Sequence, residues 1–302
     1  MKKKYFLILL SACLCACSDS EVIEPDFEIT LPKLNYAVNE PVIFNFTGTA
    51  DIITFYSGQK GREFEFRERV KVKGIPQMSF KSNRQFGNTS PTVIDTSLKI
   101  MTSTNFKGIY NAEYVTMATW KNITDRAILP VVSRATPDVF SGVIDLSDQS
   151  TLDSSLYIAF KYNGSKTAFS QYQWIIKEIS IDNKLEDGSL ANIKTSATLS
   201  WAQVDILNPT KIWTFAAAQI TMTGGPANEP DNEDWIISQP LELDRVQRSL
   251  GVAVRTSPLA KIPSYKFAGY SAPGTYKVTF EVLNANKFGS KAKIKEFLIT
   301  VE

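Results

Sequence analysis

Residues Gly274 to Val301, GTYKVTFEVLNANKFGSKAKIKEFLITV, form the stretch whose reading decides the fold. Tyr276, Val278, Phe280 and Val282 alternate with Thr275, Lys277, Thr279 and Glu281, so one face is apolar and the other wet, the period of a half-buried strand. After Asn284, Asn286 and Gly289, which read as a loop, Phe297, Ile299 and Val301 alternate with Leu298 and Thr300. The two runs make a β-hairpin, and two strands alone cannot bury that apolar face. The strands that complete it lie more than 200 residues upstream.

There, Val42, Phe44 and Phe46 alternate with Ile43, Asn45 and Thr47 after Glu40-Pro41, and Gly48 ends the run. Ile53 and Phe55 predict a second strand, Ser57-Gly58-Gln59-Lys60-Gly61 supplies turn residues, and Phe64 and Phe66 predict a third. Between the two halves the chain is again β-rich. Strands are predicted at 78–81, 97–102, 141–146, 156–162, 172–181, 198–206, 211–222, 234–238 and 251–256. Asn163-Gly164, Asp187-Gly188, Asn208-Pro209 and Gly224-Gly225-Pro226 punctuate them, a spacing that argues for a sandwich. Leu241 to Leu250 fits a short helix or a strand equally well. The resulting expectation is an all-β chain in which a sandwich made of 37–75 and 264–302 is interrupted by a second sandwich at 76–263.

Composition narrows the function classes. At 302 residues with 43% hydrophobic and 21% charged residues, the chain is long enough for two cores. A formal charge of +2 includes Lys2, Lys3 and Lys4; without them it is close to −1, which leaves no basic footprint for nucleic acid. The absence of histidine removes the usual general base, the Ser-His-Asp triad and every imidazole metal ligand. Cys13, Cys15 and Cys17 are the sole cysteines, so the rest of the chain has no disulfide to form. Lys2 to Lys4 followed by the apolar Tyr5 to Leu10 read as a signal peptide over 1–16, too short to span a bilayer. The stretch 17–36, with Pro25 and Pro32, reads as a tether.

Leu14-Cys15-Ala16-Cys17 resembles a bacterial lipobox, which implies cleavage before Cys17 and its diacylation; Leu10-Ser11-Ala12-Cys13 matches nearly as well. The polar run Ser18-Asp19-Ser20-Glu21 resembles the export signal of Bacteroidetes surface lipoproteins. Asn39 to Phe46 with Asp51 to Gly58, and Gly274 to Val278 with the last strand, resemble the two halves of a polycystic-kidney-disease-type (PKD-like) immunoglobulin domain. Met117 to Thr124, Tyr157 to Tyr162 and Asp234 to Ser238 resemble a galactose-binding-like jelly roll. The whole is similar to a Bacteroidetes lipoprotein family of unknown function associated with polysaccharide utilisation. That resemblance implies a lipid-anchored, surface-exposed outer-membrane protein beside a porin, with a polysaccharide or oligosaccharide as partner.

For a glycan binder, aromatic rings are the first candidates, since a flat ring stacks on the apolar face of a sugar. All five tryptophans fall in the inserted segment, and most are expected in its core. Parity along 211–222, read as one strand, sets Trp213 opposite Ile212 and Ile220 and so on an exposed face. Trp120 precedes the polar Lys121-Asn122, and Trp235 follows an acidic run; these three are the candidate ligand-binding residues. In that run Asp231, Glu233 and Asp234 are weak candidates for calcium, with a solvated turn favoured because no calcium-loop spacing is met. Asp145 and Asp148 read as turn formers. A glycosidase needs two carboxylates on one cleft. Glu63 and Glu65 share a face with Arg67 and Arg69, and Glu178 and Asp182 lie four apart, so neither pair makes a strong catalytic signal. The expectation is a non-catalytic glycan-binding accessory protein that needs no cofactor. An adhesive module for an outer-membrane protein and a glycosidase stand as alternatives.

Overall fold

The computed structural model describes residues 21–88, 90, 95–134, 137–149, 155–216, 219–256 and 261–302. The stretch 1–16, read from sequence as a signal peptide, and Cys17 lie outside them. Among the described residues no helix is long and apolar enough to cross a membrane. The protein is an all-β fold of largely antiparallel sheets. It divides into two compact units, one drawn from the chain up to Glu68 together with Arg248–Glu302, the other being Arg69–Gln247.

From the front of the chain come β1 (Asp26–Thr30), β2 (Asn35–Tyr36), β3 (Val42–Thr49) and β4 (Ile52–Tyr56). The second unit then supplies β5 (Ile75–Phe86), β6 (Leu98–Ser103), the helix α1 (Ala112–Met117), β7 (Lys121–Asn122), β8 (Val139–Phe140), β9 (Ile144–Asp145), β10 (Tyr157–Gly164), β11 (Tyr172–Lys184), β12 (Leu190–Thr195), β13 (Trp201–Leu207), β14 (Trp213–Ala216), β15 (Gln219–Met222) and β16 (Asn232–Ser238). The chain ends with β17 (Val252–Arg255), β18 (Ser264–Phe267), β19 (Gly274–Asn286) and β20 (Gly289–Val301).

In the first unit one sheet runs β1-β3-β18 and the other β17-β4-β19-β20-β2. The alternation of β3 sends Val42, Phe44 and Phe46 inward, where they meet Val278, Phe280 and Val282 of β19. The Phe280 ring lies 4.9 Å from Phe44, 5.0 Å from Phe55 and 5.7 Å from Phe46, centroid to centroid. The closing hairpin is longer than its alternation suggests: β19 and β20 stay in register to Asn286 opposite Gly289, so Asn284 and Gly289 belong to strands.

Three expectations need correction here. The stretch read as a tether contains β1, which pairs with β3 and buries Phe27 and Ile29 while Asp26, Glu28 and Thr30 face solvent. Burying two such side chains is worth about 1.5–3 kcal/mol each, more than the exposed Glu28 pairs with Lys293 and Lys295 can add. Phe64 to Phe66 form a 3-10 turn. No third strand can form beside β4, because its two edges are occupied by β17 and β19. Finally, 252–255, counted with the inserted segment, pairs with β4 in the first unit.

The second unit is also a sandwich, with sheets β13-β16-β10-β6-β7 and β14-β15-β11-β5-β8; β12 and β9 pair with β11 and β5. Phe80, Phe160, Tyr162, Trp174 and Ile236 fill the space between the sheets. A separate aromatic cluster covers the opposite face of the five-stranded sheet, where Phe106, Tyr157 and Trp235 lie with Val115 of α1. That helix starts at Asn111, whose Oδ1 accepts the Tyr114 N–H at 3.0 Å and so satisfies one of the free amides of the first turn. Leu241 to Leu250 forms neither helix nor regular strand; isolated bridges tie Leu241 to Leu156 and Arg245 to Lys71.

Ending the chain at Pro263 would remove β18 to β20 and with them Val278, Phe280, Val282, Ile299 and Val301 from the first core. At about 1.5–3 kcal/mol per side chain, that loss matches a whole domain's stability of about 5–15 kcal/mol. Limited proteolysis of this truncation should therefore cut within 39–67, and continued protection there would contradict the pairing of β3 and β4 with the C-terminal strands.

Candidate functional site

β13 and β14 are the edge strands of the two sheets of the second sandwich. Between them, at the open side of the sandwich, is a groove of about 390 Å³. Trp201, the first residue of β13, forms one wall, and Phe215 of β14 forms another. Leu199 and Ile220 give an apolar floor, and Ser196, Ser200 and Gln219 add hydroxyl and amide groups. Trp201 is half-buried and steadied by Phe160, 5.6 Å away between centroids. Phe215 is 55% exposed.

Its position explains why parity fails for Trp213. The run 211–222 is a hairpin of two strands, β14 and β15, with Trp213 opposite Met222 and Phe215 opposite Ile220. Trp213 is fully buried against Tyr162, and its indole N–H donates to the Asp234 carbonyl at 3.3 Å. The expected exposed tryptophan is thus a core residue, and Phe215 is the exposed ring of that strand.

Trp120 and Trp235 come together, with ring centroids 5.0 Å apart, but as members of the aromatic cluster under α1. Trp120 is half-buried and donates its N–H to the Val115 carbonyl. Trp235 is buried, donates to Glu233 Oε1 at 3.1 Å and has Lys161 Nζ 5.0 Å from its ring centre. None of the three candidate tryptophans lines the groove. Trp201 and Phe215 were missed because strand alternation marks which side chains share a face, and nothing in it marks the edge of a sheet.

The acidic run separates in space. Asp231 accepts the Lys166 amide N–H at 2.7 Å. Glu233 lies on one face of β16, held by Lys161 at 2.8 Å. Burial works to raise its pKa, and the bonds from Lys161 and Trp235 outweigh that and lower it. Asp234 points to the other face, 1% exposed, and burial, with the Asp205 carboxylate beside it, pushes its pKa up to about 7. Among the described residues no group of three or more acidic or cysteine side chains is placed to hold a metal.

The carboxylates weighed for catalysis do not converge either. A register shift in β11 between Lys177 and Ser180 turns Glu178 outward to Lys81, at 2.6 Å, whereas Asp182 is buried and accepts bonds from Ser180 and Asn192. Glu63 accepts the Ser249 hydroxyl. Asp148 is a clamp: Arg126 meets both of its oxygens at 2.8 and 2.7 Å, and Lys121 adds a third bond at 2.5 Å.

These observations define an all-β protein of two sandwiches, the second carrying an aromatic groove at its open edge. Residues 16–201 match the family described as a domain of unknown function, DUF5017. The match takes in more than half of the chain, and the protein belongs to that family. No curated protein and no solved structure matches it.

The Asp148 clamp has a measurable pH signature. Arg126, first, and then Lys121 hold its carboxyl well below the usual carboxylate range against the opposing effect of burial. A depressed pKa contributes stability above the unfolded-state value, near 4, and loses it as pH falls through the folded one. Because the side chain is 42% exposed, solvent screening limits the effect to about 1 kcal/mol or less. Asp148→Asn should be destabilised by that amount at pH 7 in urea unfolding, with the gap to the wild type closing toward pH 2.

Proposed function

We propose that the protein is a non-catalytic, lipid-anchored accessory protein of the outer-membrane surface that captures a polysaccharide or oligosaccharide, with the Trp201–Phe215 groove as its sugar-binding face. The observation that carries this reading is the pairing of a half-buried indole with an exposed phenyl ring across a groove of about 390 Å³. Rings so placed can stack on the apolar faces of a sugar, and Ser196, Ser200 and Gln219 can meet its hydroxyls. No carboxylate is among the described residues that line the groove, whereas glycoside hydrolysis needs two flanking the scissile bond. Anchoring rests on the lipobox-like Leu14 to Cys17, and the association with polysaccharide utilisation rests on family resemblance. On this reading the first sandwich, PKD-like, is a frame, and the second, a jelly roll, presents the binding edge.

Affinity electrophoresis across a panel of soluble polysaccharides tests it. At least one glycan should retard the protein, and Trp201→Ala and Phe215→Ala should each weaken retardation about tenfold, as expected for loss of about 1.4 kcal/mol. Trp120→Ala, away from the groove, should leave retardation unchanged if its circular dichroism is native. Retardation that ignores both groove substitutions would remove the groove from the reading. Absence of retardation on every glycan, with recovery of a porin in pull-downs, would favour the adhesive alternative.

A further inference from the structure

The buried side of β16 carries a second feature that the groove does not explain. Asn232 and Asp234 lie on the same face of that strand as Ile236, which packs between the sheets. Asp205 of β13 is the direct cross-strand partner of Asp234, on the face that also holds Trp201. Both Asn232 and Asp234 are at least 98% buried. Three oxygens at this spot are buried and accept no hydrogen bond: Asp205 Oδ1, Asp234 Oδ2 and Asn232 Oδ1. The Asn232 amide nitrogen is committed to the Lys211 carbonyl at 3.0 Å, and its side chain lies within hydrogen-bonding reach of the Asp234 carboxylate. No lysine or arginine pairs with either aspartate among the described residues; Lys161, on the strand beside β16, is taken by Glu233 on the opposite face.

Two carboxylates on facing strand positions, each with one buried oxygen that accepts no bond and neither with a counter-charge among the described residues, are costly to bury. A bound cation would remove that cost. We propose that Asp205, Asp234 and Asn232 form a binding site for a divalent cation of the calcium type. All three donors are hard oxygens, with no nitrogen or sulfur ligand to favour zinc or another transition metal. Calcium accepts an irregular set of carboxylate, amide and water oxygens, whereas magnesium demands near-octahedral geometry. The site is distinct from the run Asp231, Glu233 and Asp234 suggested by sequence alone: it keeps Asp234, exchanges its neighbours in the chain for a neighbour across the sheet, and adds Asn232 as the third ligand.

The full chain, stripped with EDTA and dialysed into chelator-free buffer, is the material for the test. Calcium at a hundredfold excess over its Kd should raise Tm by about 5 °C or more. Terbium, bound in place of calcium, should show indole-sensitised luminescence, because Trp213 donates its N–H to the Asp234 backbone, and added calcium should quench it. Asp205→Asn and Asp234→Asn, which keep side-chain shape, should each weaken terbium binding tenfold or more. Trp213→Phe should retain the calcium-dependent Tm shift while losing most of the luminescence, which places the ion beside that ring. The proposal fails if calcium leaves Tm unchanged and terbium does not luminesce, or if a calcium response persists in full in both aspartate variants. It also fails if Asp234→Asn is more stable than the wild type and the wild type is indifferent to calcium, the pattern of two carboxyls sharing a proton.

Discussion

The contact on which the first sandwich depends is the packing of Phe280 against Phe44 and Phe55, rings from two consecutive early strands and from one more than 200 residues downstream. β4 lies between β17 and β19, and β3 lies between β1 and β18, so neither of the early strands is complete until the last fifth of the chain is present. Loop-closure entropy grows only slowly with loop length, so an intervening segment of this size costs little more than a shorter one. The cost is reduced further if the segment folds on itself. Its entering and leaving stretches run side by side, with Val72 donating to the Asp244 carbonyl and Val246 to that of Val70. A chain whose ends must meet is thus compatible with a large insertion when the insertion begins and ends at one place.

What the sequence could reveal of this fold follows from what alternation records. In β3 and β19 a single face is buried, and the apolar period of two reports it directly. β1 carries the same signal in Phe27 and Ile29, but the five-residue strand lies between Pro25 and Pro32, and its short run reads as linker. Alternation says nothing of where a strand stops. The run 211–222 keeps a plausible period through what is a hairpin, and a parity count taken across it misassigns Trp213. A register shift has the same effect in β11, where Glu178 takes a positive φ of 51° and Glu178 and Asp182 end in different surroundings. The candidate site was less legible than the fold because it is built from strand edges and cross-strand neighbours. Asp205 and Asp234 are 29 residues apart in sequence and partners in space.

The five-stranded sheet of the second sandwich is apolar on both faces, and that determines the fate of its tryptophans. Its inner face packs on the other sheet through Phe160 and Ile236; its outer face, through Tyr157 and Trp235, is covered by the 104–120 segment and α1. Rings that sequence reading could assign to a ligand are needed to hold this cover. Trp120 shows the distinction: the polar Lys121-Asn122 that follows it is strand β7, and its ring contacts Trp235 and Phe106 while its N–H is spent on the helix. A tryptophan next to polar residues is therefore weak evidence for binding unless its ring has a free face.

The edges of the same sandwich impose the opposite requirement. An edge strand offers unpaired amides and carbonyls to any other strand, and proteins usually blunt that hazard with charge, irregularity or a cover. β13 carries a register irregularity between Asp205 and Leu207, and β14 is only four residues long; both features discourage a further strand from adding there. With strand addition disfavoured, the recess between the two edges stays uncovered. Aromatic rings stand at its rim, while its serines and glutamine keep it from being a continuation of the core. Short and irregular edges thus do two things at once: they protect the sandwich from pairing with another chain, and they leave a groove lined by aromatic rings, hydroxyls and an amide.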